Sequence, residues 1–185
     1  MAVNIFEDIV KTSLQAQGYF VMENVSFALP EKIKIDERYR TGASDIDLVA
    51  VKPRSPNEPV LVVSCKGREL DAGAAADAIL SDGLLWNKAA WKHFRELAVE
   101  EWATALKHRV RALSGRSDVQ HVTAVTKIIG DHTKWRENET FKKRMGGNSL
   151  KLWDLQHVVR NLQDPNNLPH QSSSVTQMIR LFKAS

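Results

Sequence analysis

The spacing of apolar residues predicts a helix at the start of the chain. Residues 4–17 place their apolar side chains on one helical stripe, as in a helix packed against a core. Gly18 follows where the end of a helix favours a left-handed residue. Asn4 and Glu7 have the N-cap and N3 spacing of a capping box. We therefore expect an amphipathic helix that ends just before Gly18.

Strand-like patterns follow this helix. Residues 19–27 are typical of a strand, and the charged residues 31–40 are typical of a second short strand or a flap. The stretch S-D-I-D-L-V-A-V-K alternates as a strand does, and the Pro-rich residues 53–59 predict a turn. Residues 60–65 are apolar or small, as in a buried strand. The two strands around the turn predict a hairpin.

The rest of the chain predicts helices that alternate with strands. Tryptophans at helical spacing indicate core positions. Asp154 is placed to cap a helix. The predicted elements are helices over 74–85 and 88–113, a strand over 119–129, a helix or loop over 135–144, a strand over 150–153 and a helix over 155–162. This order predicts a mixed α/β domain around one sheet over residues 1–163, followed by a linker and a small helix over 164–185.

Composition limits the classes of protein to consider. The chain has 185 residues and 43% apolar content, which suits a single domain. No window has the length of a membrane span, and the first residues do not resemble a signal peptide. Cys65 is the sole cysteine, so we expect no internal disulfide and a reducing, cytoplasmic compartment. The histidines have no zinc spacing, and we expect His121 and His157 to be structural.

Basic residues gather in the second half of the chain, although the net charge is only +4. Two interpretations stand: a phosphate-binding surface, or solvated helical faces. The residues concerned are Lys107, His108, Arg109, Arg111, Arg116, Lys134, Arg136, Lys142, Lys143, Arg144 and Lys151.

Two carboxylates and a lysine fall on the predicted hairpin. Asp45 and Asp47 are two residues apart on a strand, so strict alternation places them on one face. Lys66 ends the run L-V-V-S-C-K on the neighbouring strand, where a buried ammonium needs a partner or a task. Carboxylate oxygens suit Mg²⁺ or Mn²⁺, and a nearby lysine can orient a water or offset charge on a phosphate. Cys65 points to the opposite face, as a core residue does.

These stretches resemble the PD-(D/E)xK nucleases, which have a restriction-endonuclease-like mixed central sheet flanked by helices. The opening F-E-D-I-V-K-T-S-L-Q-A-Q-G-Y-F-V is similar to the first helix and strand of Holliday-junction resolvases and Mrr-type restriction enzymes. In that subgroup a glutamate near the helix start reaches the metal site, and Glu7 matches it. S-D-I-D-L-V-A-V-K is similar to the family's metal-binding strand, with Asp47 at the aspartate position. V-V-S-C-K-G-R is similar to the (D/E)xK strand, with Lys66 at the lysine position.

The chain departs from this pattern at Ser64, which stands where the family has its second acid. A hydroxyl is a poorer metal ligand than a carboxylate. Some restriction enzymes of the family carry Ser-x-Lys and supply the acid from the following helix. Asp77 and Asp82 are the candidates for that acid here. Glu69 is a poorer candidate, because it follows Lys66 too closely. Asp45 is a further source of the missing carboxylate, from its own strand.

The resemblance implies a Mg²⁺- or Mn²⁺-dependent DNA endonuclease that hydrolyses phosphodiester bonds. The expected partner is then DNA, with no involvement of a membrane. Cutting both strands would require a homodimer or two successive binding events on the duplex. The alternative is an inactive subunit of the same fold that binds DNA or a protein. A third interpretation is an unrelated α/β enzyme that acts on small phosphates. The sequence disfavours it, because it contains no glycine-rich phosphate-binding loop. The implied site residues are Lys66, Asp47 and Glu7 in catalysis, Asp47, Glu7, Asp45 and Asp77 at the metal, and Ser64, Arg68, Arg109, Lys134, Lys142 and Lys143 at the substrate.

Overall fold

The computed structural model describes residues 5–29, 42–55, 57–81, 93–164 and 167. The described elements, in chain order, are α1 (Ile5–Ala16), β1 (Phe20–Ala28), β2 (Ala43–Val51), β3 (Val60–Asp71), α2 (Ala72–Ser81), α3 (Arg95–Ala98), α4 (Glu100–Ser114), β4 (Val119–Ile129), α5 (His132–Arg136), α6 (Glu139–Arg144), β5 (Lys151–Trp153) and α7 (Leu155–Gln163).

The strands form one mixed sheet with the spatial order β1-β2-β3-β4-β5. The first three strands are antiparallel neighbours, which confirms the predicted hairpin between β2 and β3. β4 lies parallel to β3, and β5 lies parallel to β4. The connection between β3 and β4 contains α2, α3 and α4, because parallel neighbours need a long crossover. The fold is therefore the mixed α/β class that the sequence predicts.

Helices cover both faces of the sheet, and each face has its own apolar core. The first core lies between the sheet and the helices α2, α4, α5 and α6, and contains Trp102, Trp135 and Phe141. The second core lies between the sheet and the pair α1 and α7, and contains Val10, Leu14 and Val158. Trp102 is 1% exposed, which confirms the predicted core position of this tryptophan in the 88–113 run. Trp135, in the segment predicted as a helix or loop, is also fully buried.

Several predicted element ends are confirmed. Gly18 has a φ of 84° just after α1, so it takes the left-handed conformation that ends the helix. The strand predicted over 119–129 is β4. Asp154 caps α7, because its Oδ1 accepts a hydrogen bond from the His157 amide at 2.7 Å.

Two predicted boundaries are wrong. β3 does not end at Cys65 but continues to Asp71, because its pairing with β4 resumes after a bulge between Lys66 and Glu69. That bulge contains the sequence Gly-Arg, which interrupts the apolar run and hides the rest of the strand. The helix predicted over 88–113 is broken at Val99, whose φ of −139° and ψ of 128° are those of an extended residue.

Some predictions fall outside the described residues. They concern the Asn4 cap, the charged segment 31–40, Asp82, the first part of the helix predicted over 88–113 and the helix over 175–183. Within the described ranges, no helix combines the length and the apolar character that crossing a bilayer requires.

Tyr19 links the start of β1 to the turn between β2 and β3. Its hydroxyl donates a hydrogen bond to Glu58 Oε2 at 3.1 Å, and Lys52 Nζ binds the other oxygen of Glu58 at 3.1 Å. The Lys52 ammonium also lies 5.4 Å from the centre of the Tyr19 ring. Burial, and then the negative charge of Glu58, raise the pKa of Tyr19 from 10.0 to about 12.

We expect this contact to make the protein less stable as the solution becomes alkaline. The raised pKa means that the folded state keeps the phenolic proton that the unfolded chain loses near pH 10. This contribution to stability is complete below pH 10 and disappears as the pH rises to about 12. The urea midpoint should therefore fall between these pH values, and it should fall less in Tyr19→Phe. Equal decreases in both proteins would contradict the assignment.

Candidate functional site

Asp47 lies at a break in the strand pairing. The ladder between β1 and β2 includes Glu23 with Leu48 and Val25 with Ile46, but it omits the step that would join Asn24 to Asp47. Asn24 has a φ of 49°, a left-handed conformation that asparagine tolerates better than most residues. On the other side of β2, the ladder with β3 stops at Leu48. The Asp47 residue is therefore outside regular pairing on both sides.

Beyond the end of the β2–β3 ladder, the Asp47 side chain on β2 serves as the hydrogen-bond partner of a backbone amide on β3. Its Oδ2 accepts a hydrogen bond from the Cys65 backbone amide at 2.6 Å. The same oxygen lies 3.6 Å from Lys66 Nζ. The Asp47 and Lys66 side chains are 27% and 20% exposed, so the pair lies at the surface but is largely sheltered. The hairpin thus brings together the carboxylate and the ammonium that the sequence places at its end.

Lys66 has a second partner besides Asp47. Its Nζ lies 5.6 Å from the centre of the Phe94 ring, within the range of a cation–π contact. Phe94 is only 2% exposed and belongs to the first core. The β-bulge directly after Lys66 fits a pattern in which bulges lie beside functional sites and re-aim side chains.

The charge of Glu7, on α1, acts on Cys65, the residue before Lys66. Burial raises the pKa of the Cys65 thiol, and the negative charges of Asp47 and Glu7 raise it further, while Lys66 opposes them. Cys65 itself is buried in the second core, as predicted, and its raised pKa keeps it a neutral thiol.

The alternation that would place Asp45 and Asp47 on one face is broken. Ile46 packs in the first core, whereas Leu48 packs in the second, although strict alternation would put them together. Asp45 is exposed and pairs through its backbone with Ser26 of β1. Ser64, at the position of the family's acid, is 3% exposed and lies next to Thr123 of β4.

Two of the acids considered as a replacement, Asp77 and Glu69, form ion pairs with other residues. Asp77 on α2 forms an exposed ion pair with Lys134 of α5, with 3.0 Å between Oδ2 and Nζ. Glu69, which the sequence disfavours, pairs with Lys127 of β4 at 3.2 Å. The role of Asp77 at a metal would require it to leave Lys134.

The six predicted substrate contacts differ in their surroundings. Arg68, Arg109 and Lys143 are exposed and form no ion pair with another described residue. Lys142 is held by Glu139 at 2.9 Å and by Glu137 at 3.6 Å, and Lys134 is held by Asp77. Hydrogen bonds to these carboxylates raise the pKa of Lys134 and Lys142. Part of the basic surface is therefore neutralised locally.

The basic helices α5 and α6 lie on the same face of the sheet as Lys66. Trp135 of α5 contacts Phe94 with ring centres 5.0 Å apart, and Phe141 of α6 contacts Trp135 at 5.5 Å. These edge-to-face contacts connect the helices to the residue beneath the Lys66 ammonium.

The structure also contains a buried polar pair, His121 and Glu96, which the sequence did not indicate. His121 Nε2 lies 3.0 Å from Glu96 Oε1, with both residues buried at 0% and 4% exposure. The Nδ1 atom of His121 has no hydrogen-bond partner among the described atoms. Glu96 falls within a predicted helix, where a glutamate is normally solvated, so no local signal marked it as buried.

The carboxylates at this site could supply only part of the ligands of a Mg²⁺ ion. Across the described residues, no group of three His, Cys, Asp or Glu side chains has the geometry to hold a metal. Mg²⁺, however, is commonly held by one or two carboxylates, with waters and substrate phosphates completing its shell. Asp47 and Glu7 would supply those two carboxylates; the negative charge of each raises the pKa of the Cys65 thiol.

Comparisons of the chain with protein-family models, with curated proteins and with solved structures found no match.

Proposed function

We propose that this protein is a metal-dependent DNA endonuclease with a variant PD-(D/E)xK site. One observation carries the proposal: Asp47 and Lys66 come from two strands of one hairpin, and their charged atoms lie 3.6 Å apart at the surface. Glu7 is the proposed second carboxylate, supported by the effect of its charge on the pKa of Cys65, the residue before Lys66. The mixed five-stranded sheet with helices on both faces is compatible with a restriction-endonuclease-like fold.

In this proposal each residue has a defined task. Asp47 and Glu7 would hold Mg²⁺ or Mn²⁺, which when bound lowers the pKa of a water and polarises the scissile phosphate. Lys66 stabilises negative charge that develops on the phosphate and orients the attacking water. Asp47 keeps the Lys66 ammonium beside the reacting atoms, and its hydrogen bond from Cys65 fixes its own position.

The DNA backbone would lie across the face that carries α4, α5 and α6. Arg109 and Lys143 are exposed on this face, and Arg68 is exposed two residues from Lys66. Such contacts give an affinity that falls with salt concentration, because bound cations are released from the DNA. The expected home of such an enzyme is the reducing cytoplasm.

A second candidate function is an inactive subunit of the same fold that binds DNA or a protein partner. Ser64 favours it, because it gives no carboxylate at the position of the second acid. The engagement of Asp77 with Lys134 favours it too, because the displaced acid is then unavailable in this arrangement.

Cleavage of supercoiled plasmid in Mg²⁺, Mn²⁺ or EDTA tests the two functions. The informative variant is Asp47→Asn, because its amide oxygen can still accept the hydrogen bond from Cys65 while the charge is lost. We expect metal-dependent nicking by the wild type and a decrease of about a hundredfold or more in the variant.

Asp118→Ala is the matched control, because Asp118 is an exposed acid at the start of β4, at the opposite end of the sheet from Lys66. It should cleave like the wild type. DNA binding without cleavage in any metal would support the inactive subunit instead. Cleavage that persists in Asp47→Asn would eliminate the proposed site.

A further inference from the structure

The ammonium of Lys66 requires more than Asp47 to stay in place. A lysine side chain has four flexible carbon–carbon bonds, so holding its ammonium in one place costs rotamer entropy. An ion pair at 3.6 Å between partly exposed groups stabilises only weakly, so it offsets little of that entropy cost. A second contact that acts on the charge itself would reduce the freedom of the ammonium.

Phe94 provides such a contact. The face of an aromatic ring attracts a cation, and the Lys66 Nζ lies 5.6 Å from the ring centre. Phe94 is buried, so water competes little with the ammonium for contact with the ring. The Lys66 ammonium is therefore bounded by the Asp47 carboxylate and by an aromatic surface.

The Phe94 ring is itself held rigidly. Its backbone carbonyl accepts hydrogen bonds from the Leu97 and Ala98 amides at the start of α3. Trp135 meets its ring at an angle of 73°, and Phe141 then meets Trp135 at 67°. A ring fixed by both its backbone and its neighbours can define the position of a flexible side chain.

We infer that Phe94 is a positioning residue, which uses the face of its ring to hold the Lys66 ammonium beside Asp47. This inference rests on the proposed function for its effect on cleavage, but the contact itself is independent of any activity. The contact that the Phe94 ring makes in this group is with the Lys66 ammonium. It acts through Lys66.

A nuclear magnetic resonance measurement tests the contact without an activity assay. The full chain is labelled with ¹³C at lysine Cε, and the Lys66 signal is assigned by its loss in Lys66→Ala. A ring face shifts nearby protons upfield, so the Lys66 Hε signals should lie upfield of those of Lys127, which pairs with Glu69 in solvent. In Phe94→Leu the shift should disappear, while the Lys127 signals stay unchanged.

Progressive fluorination of the ring tests the effect on cleavage. Fluorine withdraws electron density from the ring face but changes its shape little, so a purely structural ring should tolerate it. With phenylalanine, monofluoro-, difluoro- and trifluorophenylalanine at position 94, cleavage should fall stepwise, by about three- to tenfold overall. The same residues at Phe20, which is 63% exposed on β1, provide the matched series and should cause no trend.

The two measurements separate the possible failures. An upfield Lys66 signal in a protein that does not cleave DNA would eliminate the nuclease and keep the positioning role. The absence of an upfield shift overturns the role of Phe94, whatever the plasmid assay gives. Cleavage that is unaffected by fluorination also overturns it and leaves the nuclease intact.

Discussion

Lys66→Ala should lower metal-dependent cleavage by about a hundredfold or more. The substitution removes the ammonium 3.6 Å from Asp47 and leaves the carboxylate with its hydrogen bond from Cys65. The Lys66 side chain reaches the surface, so folding should be preserved. The measurement is the initial rate of plasmid nicking at fixed enzyme and metal concentration, beside thermal unfolding of both proteins.

Lys127→Ala is the matched control for this experiment. Lys127 is an exposed lysine on β4 that pairs with Glu69, and its side chain lies outside the group around Asp47. It should retain wild-type nicking. Lys66→Arg keeps a positive charge but replaces the ammonium with a planar guanidinium, so it separates the need for charge from the need for an ammonium. Rates for Lys66→Ala that match those of the wild type would remove Lys66 from the catalytic group.

Glu96→Ala should destabilise the protein by about 3 kcal/mol. The substitution leaves His121 fully buried without the carboxylate 3.0 Å from its Nε2, while Nδ1 already lacks a partner among the described atoms. A buried polar group that loses its partner pays its desolvation cost without compensation. The free energy of unfolding from urea titration, followed by far-ultraviolet circular dichroism, measures the effect.

Two comparisons define what this result means. Glu96→Gln keeps an oxygen that can accept a hydrogen bond from His121, so it should recover part of the lost stability. Asp77→Ala breaks an ion pair whose side chains are 64% and 54% exposed, and it should change stability by less than about 1 kcal/mol. A Glu96→Ala protein as stable as Asp77→Ala would show that the buried pair contributes nothing.

Local sequence patterns predicted most of the elements because their signals act over a few residues. The apolar stripe of α1, the glycine after it and the Asp154 cap of α7 are all local, and each is confirmed. The apolar strands around a Pro-rich turn predicted the β2–β3 hairpin for the same reason. The hairpin in turn brought Asp47 and Lys66 to one end of the sheet.

Non-local pairing decided where the local patterns failed. β3 extends to Asp71 because β4 offers partners beyond the bulge, and β4 lies far along the chain. Val99 interrupts the predicted helix although its neighbours favour helix. The break at Asn24 also places Ile46 and Leu48 in different cores, which strict alternation could not predict.

The sequence by itself determined the α/β class, the two strands of the hairpin and the presence of an acid and a lysine at its end. Only the tertiary structure decided which groups surround that lysine. Asp47 reaches the Cys65 amide because the ladders stop beside it, and Phe94 reaches the ammonium across a long crossover. Asp77 turns to Lys134 because α2 packs on α5. The physical reason is that side-chain partners are chosen by packing between distant segments, and residue spacing along the chain carries no record of that packing.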